Sequence, residues 1–316
     1  MHRQILISPL DWGMGHVSRC IGLIRILLQQ QNTVLIACNP VQKAAFQSYF
    51  PELEYIDHAG YGLKFSGRGK WRSDLLKNAF SMWKKMRAES RQVEKWVQLH
   101  HIDLVISDHR YGFYADAVPS ILLIHQLHLP VRRHEWIAQY IHVSLLKKFR
   151  TLWVPDDAQQ SLSGKLGAPL AGFEMDYIGA LSRFEIPAVS PEIRYDLLFV
   201  ISGPAPYAEQ FFRELTAWIP PATRVACICP QTYALPENLP DTLEIFTGTD
   251  WQTTDALFHA SACIVSRAGY STLMDLKILA KKGILIPTPG QAEQLYLAEK
   301  HQNSASWEFR SHWKSD

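Results

Sequence analysis

The chain has 316 residues, of which 47% are hydrophobic and 20% charged. It is too long for one core and apolar enough to exclude disorder, so two globular domains are expected. Its formal net charge is +2, with 22 Lys+Arg against 16 Asp+Glu through Glu185 and an acidic remainder. That split suits an anionic partner for the first half but falls short of a nucleic-acid binder.

No apolar run reaches the ~18 residues that span a bilayer. The first residues have neither the length nor the cleavage site of a signal peptide, which points to the cytoplasm. The five cysteines sit in apolar surroundings and read as small buried hydrophobes, not as disulfides or a metal site.

Apolar runs alternate with helical patterns along the chain. "QILISPL", "TVLIAC", "IDLVISD", "SILLIH" and "TLWVP" are strands of the first half; "YDLLFVIS", "TRVACIC", "LEIFTG", "ACIVS" and "GILIPTP" are strands of the second. Continuous rather than alternating apolar runs mark strands buried on both faces, hence parallel sheets covered by helices. The fold class is α/β, with two doubly wound Rossmann-like domains. Pro187 and Pro191 interrupt the pattern between them, which places the domains at residues 1–185 and 186–316. Open parallel sheets bind ligands beyond the carboxyl ends of their strands, so two facing domains would share one cleft.

Three segments between the strands are basic. The helix "DLLKNAFSMWKKMRAESRQVEKWVQL" places Leu76, Ala79, Phe80, Trp83, Met86, Val93 and Val97 near one face, for packing on the sheet. "VRRHEWIAQYIHVSLLKKFR" is also amphipathic, and peripheral contact with a membrane is its lesser reading. "AGYGLKFSGRGKWRSD" reads as a mobile basic loop able to meet an anionic acceptor.

The chemistry concentrates at three turns. After the first strand, Gly13-Met14-Gly15-His16-Val17-Ser18 lacks the third glycine of a dinucleotide loop, and no acidic residue follows the second strand, so NAD and FAD are not expected. A P-loop, a GxSxG elbow and an HExxH pair are all absent. In "VSRAGYSTLMDL", Ser266, Gly269, Ser271 and Thr272 surround a helix start whose amides favour a diphosphate. Asp275 follows, where a carboxylate could accept from a ribose. The same residues also read as an ordinary N-cap. In "IPTPGQAEQLYLA", Gln291, Glu293 and Gln294 could meet sugar hydroxyls or simply cap a helix.

Together and in order, "DWGMGHVSR", "VSRAGYSTLMDL" and "IPTPGQAEQLYLA" resemble the GT-B glycosyltransferases. The nearest branch contains the bacterial lipid-linked GlcNAc transferase of peptidoglycan synthesis and its family 28 C-terminal domain, with relatives among UDP-glucuronosyltransferase-like proteins. The chain departs from that branch in four places: Asp11 and Trp12 where a glycine is common, Asp275 for a glutamate, "VISGPAPYAEQ" for a glycine-rich turn, and a short tail after the last motif.

The resemblance implies a metal-independent, inverting hexosyltransferase that moves a sugar from a nucleotide sugar, UDP-linked, to an acceptor hydroxyl of a glycan, lipid-linked or small molecule. Cell-envelope glycan would be one such acceptor. His16 would be the base and Asp108, at the end of "IDLVISD", its orienter. The donor would be held by Gly15, Ser202, Gly203, Ser266, Arg267, Gly269, Ser271, Thr272, Asp275, Gln291, Glu293 and Gln294. Arg267 and the helix start would meet the leaving charge, since no DxD pair is present to hold a metal. No cofactor is expected. His125 and His128 are further candidates for acceptor contacts. The alternatives are a UDP-sugar 2-epimerase-like enzyme and a catalytically idle nucleotide-sugar-binding protein.

Overall fold

The computed structural model describes residues 2–62, 71–130, 136–188, 191–231, 233–234 and 239–314, with the backbone alone for 71–77. Residues 63–70 of the basic loop and 131–135 of the second amphipathic stretch lie outside the described residues. The chain forms two compact units, the first ending at Arg183 and the second beginning at Phe184.

The first unit runs β1 (Gln4–Pro9), α1 (Met14–Gln29), β2 (Thr33–Cys38), α2 (Pro40–Gln47), β3 (Glu54–Asp57), α3 (Trp71–Leu99), β4 (Leu104–Asp108), β5 (Ser120–Leu123), α4 (Trp136–Leu146), β6 (Thr151–Val154) and β7 (Glu174–Tyr177). Its strands form one parallel sheet in the order β3-β2-β1-β4-β5-β6-β7. Strand order reverses between β1 and β4, whose last residues Pro9 and Asp108 are paired in register. That reversal opens a crevice at the strands' carboxyl ends.

Helix α1 covers the sheet with Val17, Cys20, Ile21, Ile24 and Leu27, all buried at helical spacing. It starts at Gly13, whose φ of 148° lies where only glycine is at ease. Gly22 lets the backbone of Ser182 cross α1, because a Cβ there would sit 2.4 Å from the Ser182 carbonyl oxygen.

On the other side, Val93, Trp96 and Val97 of α3 pack against Leu6, Leu35 and Val105. Among the described side chains of α3, burial begins at Met86. Phe80 and Trp83, expected on the packed face, are 67% and 48% exposed. A helix of 29 residues is about 43 Å long while a six-residue strand spans about 20 Å, so its first half outruns the sheet.

The second unit runs β8 (Tyr195–Val200), α5 (Ala205–Thr216), β9 (Val225–Cys229), β10 (Leu243–Thr247), α6 (Trp251–His259), β11 (Ser261–Arg267), α7 (Tyr270–Leu279), β12 (Lys282–Ile286), α8 (Ala292–Lys300) and β13 (Trp307–Phe309). Its parallel sheet has the order β10-β9-β8-β11-β12-β13, so its reversal lies between β8 and β11. Phe199, Phe211, Phe212, Leu215, Val225, Val265 and Ile286 form the core. The tail completes it: Trp313 is 2% exposed, lies edge-on to Phe199 and donates its indole N–H to the Trp218 carbonyl at 2.7 Å.

All ten strands expected from the sequence are present. Three more, β3 (EYID), β7 (EMDY) and β13 (WEF), lie at sheet edges with no fully buried residue. Edge strands lack the continuous apolar run by which buried parallel strands are recognised.

Candidate functional site

In the first unit the site lies at the reversal between β1 and β4. His16 occupies the first turn of α1 and Asp108 ends β4, 92 residues later, yet His16 Nδ1 is 2.9 Å from Asp108 Oδ2. Asp108 is fully buried, and the His16 side chain keeps 17% exposure. A carboxylate can only accept, so a hydrogen on Nδ1 satisfies this contact and makes Nε2 the basic nitrogen, whereas the Arg19 guanidinium, 2.7 Å from the same Nδ1, can only donate to it.

The chain turns sharply after Asp108. His109 takes a left-handed φ of 61° and donates its backbone N–H to the Leu123 carbonyl at 3.1 Å. Its ring stands edge-on to His16, Tyr111 and His125, with centroids 5.9, 6.0 and 5.5 Å away. His109 Nδ1 is buried without a hydrogen-bond partner among the described residues.

Sequence reasoning missed Arg19. It is 1% exposed, and its Nε donates to Asp108 Oδ1 at 2.8 Å while Nη2 donates to the same oxygen. Nη2 also lies 2.7 Å from His16 Nδ1, and Nη1 lies 3.2 Å from His125 Nδ1. Cys20 directs its thiol at Asp108 Oδ2, 3.6 Å away. The spacing contained the signal, since residues three apart on a helix share a face.

The charges here fix the protonation states. Burial and then the Arg19 cation lower the His16 pKa, and the opposing pull of Asp108 does not cancel them. For Asp108, burial pushes upward, but Arg19 and then His16 outweigh it and the carboxyl titrates below its ordinary range. Burial, with His125 and Arg19 adding to it, pushes His109 well below 6.5.

A second buried network stands beside the first. His58 Nε2 is 2.7 Å from Glu89 Oε1 and 2.9 Å from Arg110 Nη2. Arg110 Nε donates to Glu89 Oε1 at 2.7 Å, and Tyr61 donates its hydroxyl to Glu89. Asp11 carries a structural role here, 3.8 Å from Arg110 and accepting from the Gly62 amide at 3.3 Å. His125 joins the Arg19 cluster, whereas His128 turns to the Pro169 carbonyl at 3.4 Å.

In the second unit, the turns after β8 and β11 meet at the β8–β11 reversal. Helix α7 begins at Gly269 with no side-chain cap. Its first intrahelical bond runs from the Leu273 N–H to the Gly269 carbonyl at 3.2 Å. The amides of Ser271 and Thr272 thus point out of the helix start with no partner among the described residues, as an anion site requires. Among the described residues, α2, α6 and α8 are capped by Asn39, Asp250 and Gln291, whereas α1 and α7 begin bare at the sheet reversals.

The remaining candidates are placed less openly. Ser266 is 2% exposed and donates to the Arg267 carbonyl at 3.0 Å. Arg267 lies 3.9 Å over the Phe211 ring and reaches the Ile286 and Pro287 carbonyls at 3.4 Å. Burial lowers its pKa to about 10. Asp275 is 6% exposed and engaged within the protein.

Gln291 and Gln294 each accept a backbone N–H, from Gln294 and Thr288 respectively, and their amide NH2 groups remain as donors with no partner among the described residues. Glu293 stands in the first turn of α8. Ser202 and Gly203 are exposed in the β8–α5 turn, Gly203 with φ 106°. Pro204 and Pro206 lack N–H groups, and Tyr207 and Ala208 donate theirs to the Pro204 carbonyl, so α5 offers few amides.

Residues 231–306 match the family model described as the glycosyltransferase family 28 C-terminal domain. A comparison with curated proteins finds no match. Among solved structures, the spinosyn rhamnosyltransferase SpnG is similar at a TM-score of 0.63 and 15% identity, over 97% of this chain and 86% of that one. SpnG has also been solved with thymidine diphosphate. The calicheamicin glycosyltransferase CalG4 is similar at 0.62 and 14%, over 98% and 85%. SnogD from Streptomyces nogalater gives 0.58 and 14%, over 98% and 87%. At these identities the likeness is one of fold: the chain has the GT-B fold of glycosyltransferases, and its second unit carries a match to the family 28 C-terminal domain.

Proposed function

We propose that the protein transfers a sugar from a nucleotide sugar to an acceptor hydroxyl, with inversion at the anomeric carbon and without a metal. The observation that carries this reading is the buried Asp108 carboxylate 2.9 Å from His16 Nδ1; with the hydrogen on Nδ1, Nε2 is a base at the mouth of a sheet reversal. His16 Nε2 takes the acceptor hydroxyl's proton as its oxygen bonds to the anomeric carbon from the face opposite the donor diphosphate. The bond from that carbon to the diphosphate oxygen breaks, and the diphosphate leaves with the electron pair. Asp108 stabilises the imidazolium so formed.

The diphosphate is assigned to the bare start of α7, where the Ser271 and Thr272 amides and the helix dipole meet negative charge. The NH2 groups of Gln291 and Gln294 are assigned to the donor sugar. Arg267 supports the leaving charge through its position behind that turn. The family resemblance favours uridine as the nucleoside, and the thymidine diphosphate bound to SpnG makes thymidine the competitor to test. Calorimetry with UDP and TDP, then incubation with the labelled sugar nucleotide, tests the reading. Release or transfer of sugar is expected, and binding of neither diphosphate overturns it. Product analysis separates transfer from epimerisation, and an inert complex would mark an idle binder.

The acceptor is assigned to a lipid-linked or other glycan reached from the cytoplasmic membrane face. Stacked Phe80 and Trp83 stand exposed on α3 with Lys84 and Arg87 over their rings. Trp136, Ile137, Tyr140 and Ile141 are exposed on α4. Aromatic and aliphatic side chains among cations suit an anionic bilayer surface. Co-sedimentation with vesicles containing phosphatidylglycerol but not with phosphatidylcholine alone is expected, and equal recovery from both removes the membrane from the proposal.

A further inference from the structure

Resting on the reading of His16 as the base, we propose that Arg19 is a positioning residue of the transfer, holding His16 unprotonated at neutral pH. Its guanidinium forks onto Asp108 Oδ1 through Nε and Nη2, and the same Nη2 stands 2.7 Å from His16 Nδ1. An orienting carboxylate by itself binds a proton on its histidine as an ion pair, and at full burial that pair traps the base in its spent form. With Arg19 present, the resting cluster is already neutral: one guanidinium, one carboxylate, one imidazole. A proton on His16 then adds net charge to a cluster whose Asp108 and Arg19 are buried.

Apart from Asp108, which favours the protonated ring, the groups facing His16 work in the same direction or are neutral. On α1 these are Arg19 and Cys20, whose thiol pKa burial keeps well above 9. From the end of β4 come Asp108 and His109, the latter held neutral by burial. From beyond β5 comes His125, 3.2 Å from Arg19 Nη1. Asp108 is thus the one anion among these groups, and Arg19 occupies its other oxygen. The His109 Nδ1 without a partner keeps a second cation out of the cluster.

The test follows the ring itself by NMR of the histidine-labelled full chain, with His16→Gln identifying the resonance, so it needs no substrate. The expected His16 midpoint in the wild type lies below 6.5. In Arg19→Gln it rises by about one pH unit or more. In Arg19→Lys, which keeps the charge, it stays within a few tenths of wild type. With donor and acceptor supplied, Arg19→Gln loses turnover at pH 7 and regains it at pH 8.5, a recovery that a merely structural lesion does not give. An unchanged midpoint in Arg19→Gln overturns the proposal. Where that variant does not fold, a wild-type midpoint at or above 6.5 overturns it instead. Absence of any transfer by the wild type would overturn the transferase reading while leaving the titration result intact.

Discussion

His16 and Asp108 meet because β1 and β4 are neighbours in the sheet, so an imidazole at the start of one crossover lies over the last residue of the next strand. Nδ1 is turned to both Asp108 and Arg19, which makes His16→Ala a specific lesion of the proposed base. It should retain nucleotide binding by calorimetry and lose about two or more orders of magnitude in turnover, and wild-type turnover removes the base assignment. Both residues stood out in the sequence, one at a glycine turn and one at a strand end. Arg19 did not, because a buried arginine looks like any surface arginine until its partners are known. Asp275 shows the reverse: its place near a helix start was legible, and its burial at 6% exposure was not, since that depends on what packs over the second turn of α7.

Among the elements, α1, α5 and α7 start without the side-chain caps that α2, α6 and α8 carry, and of the uncapped starts α7 presents unpaired amides at its sheet reversal while α5 starts on prolines. An unpaired amide costs stability unless water or a ligand meets it. If those of α7 hold a diphosphate, Ser271→Pro should weaken UDP or TDP binding about tenfold, the effect of losing roughly 1.4 kcal/mol. Proline is accepted at the second position of a helix, as Pro206 is in α5, so the melting temperature should hold. Unchanged affinity by calorimetry would clear α7 of the role. Glycine marked the turns into α1 and α7 in the sequence. Whether a side chain capped either one was not readable, because Gln291 caps α8 through a conformation that its sequence merely permits.

On the scale of the whole molecule, the first unit collects histidines that fold in neutral. Burial leads in lowering His16 and in taking His109 well below 6.5, and it brings His142 to about 4. The unfolded chain binds these protons first, so stability is greatest above about pH 6.5 and falls as pH drops toward the folded values. Each such histidine contributes up to about 1.4 kcal/mol per pH unit within its window. Calorimetry of the full chain between pH 7 and 5 should show the melting temperature falling with net proton uptake on unfolding, and a flat profile over that range contradicts the neutral cluster.

Continuous apolar strands, amphipathic crossovers and three ordered turns were enough to determine two parallel α/β domains and the residues at their strand ends. Local chemistry writes buried strands and turns directly into the chain. The edge strands β3, β7 and β13, the half of α3 that outruns its sheet, and the place of Arg19 on Asp108 and His16 came only from the tertiary structure. Each depends on which segment lies beside which: a glycine turn and a strand end pointed to His16 and Asp108, 92 residues apart, but nothing in the sequence marked Arg19 as sharing their contact.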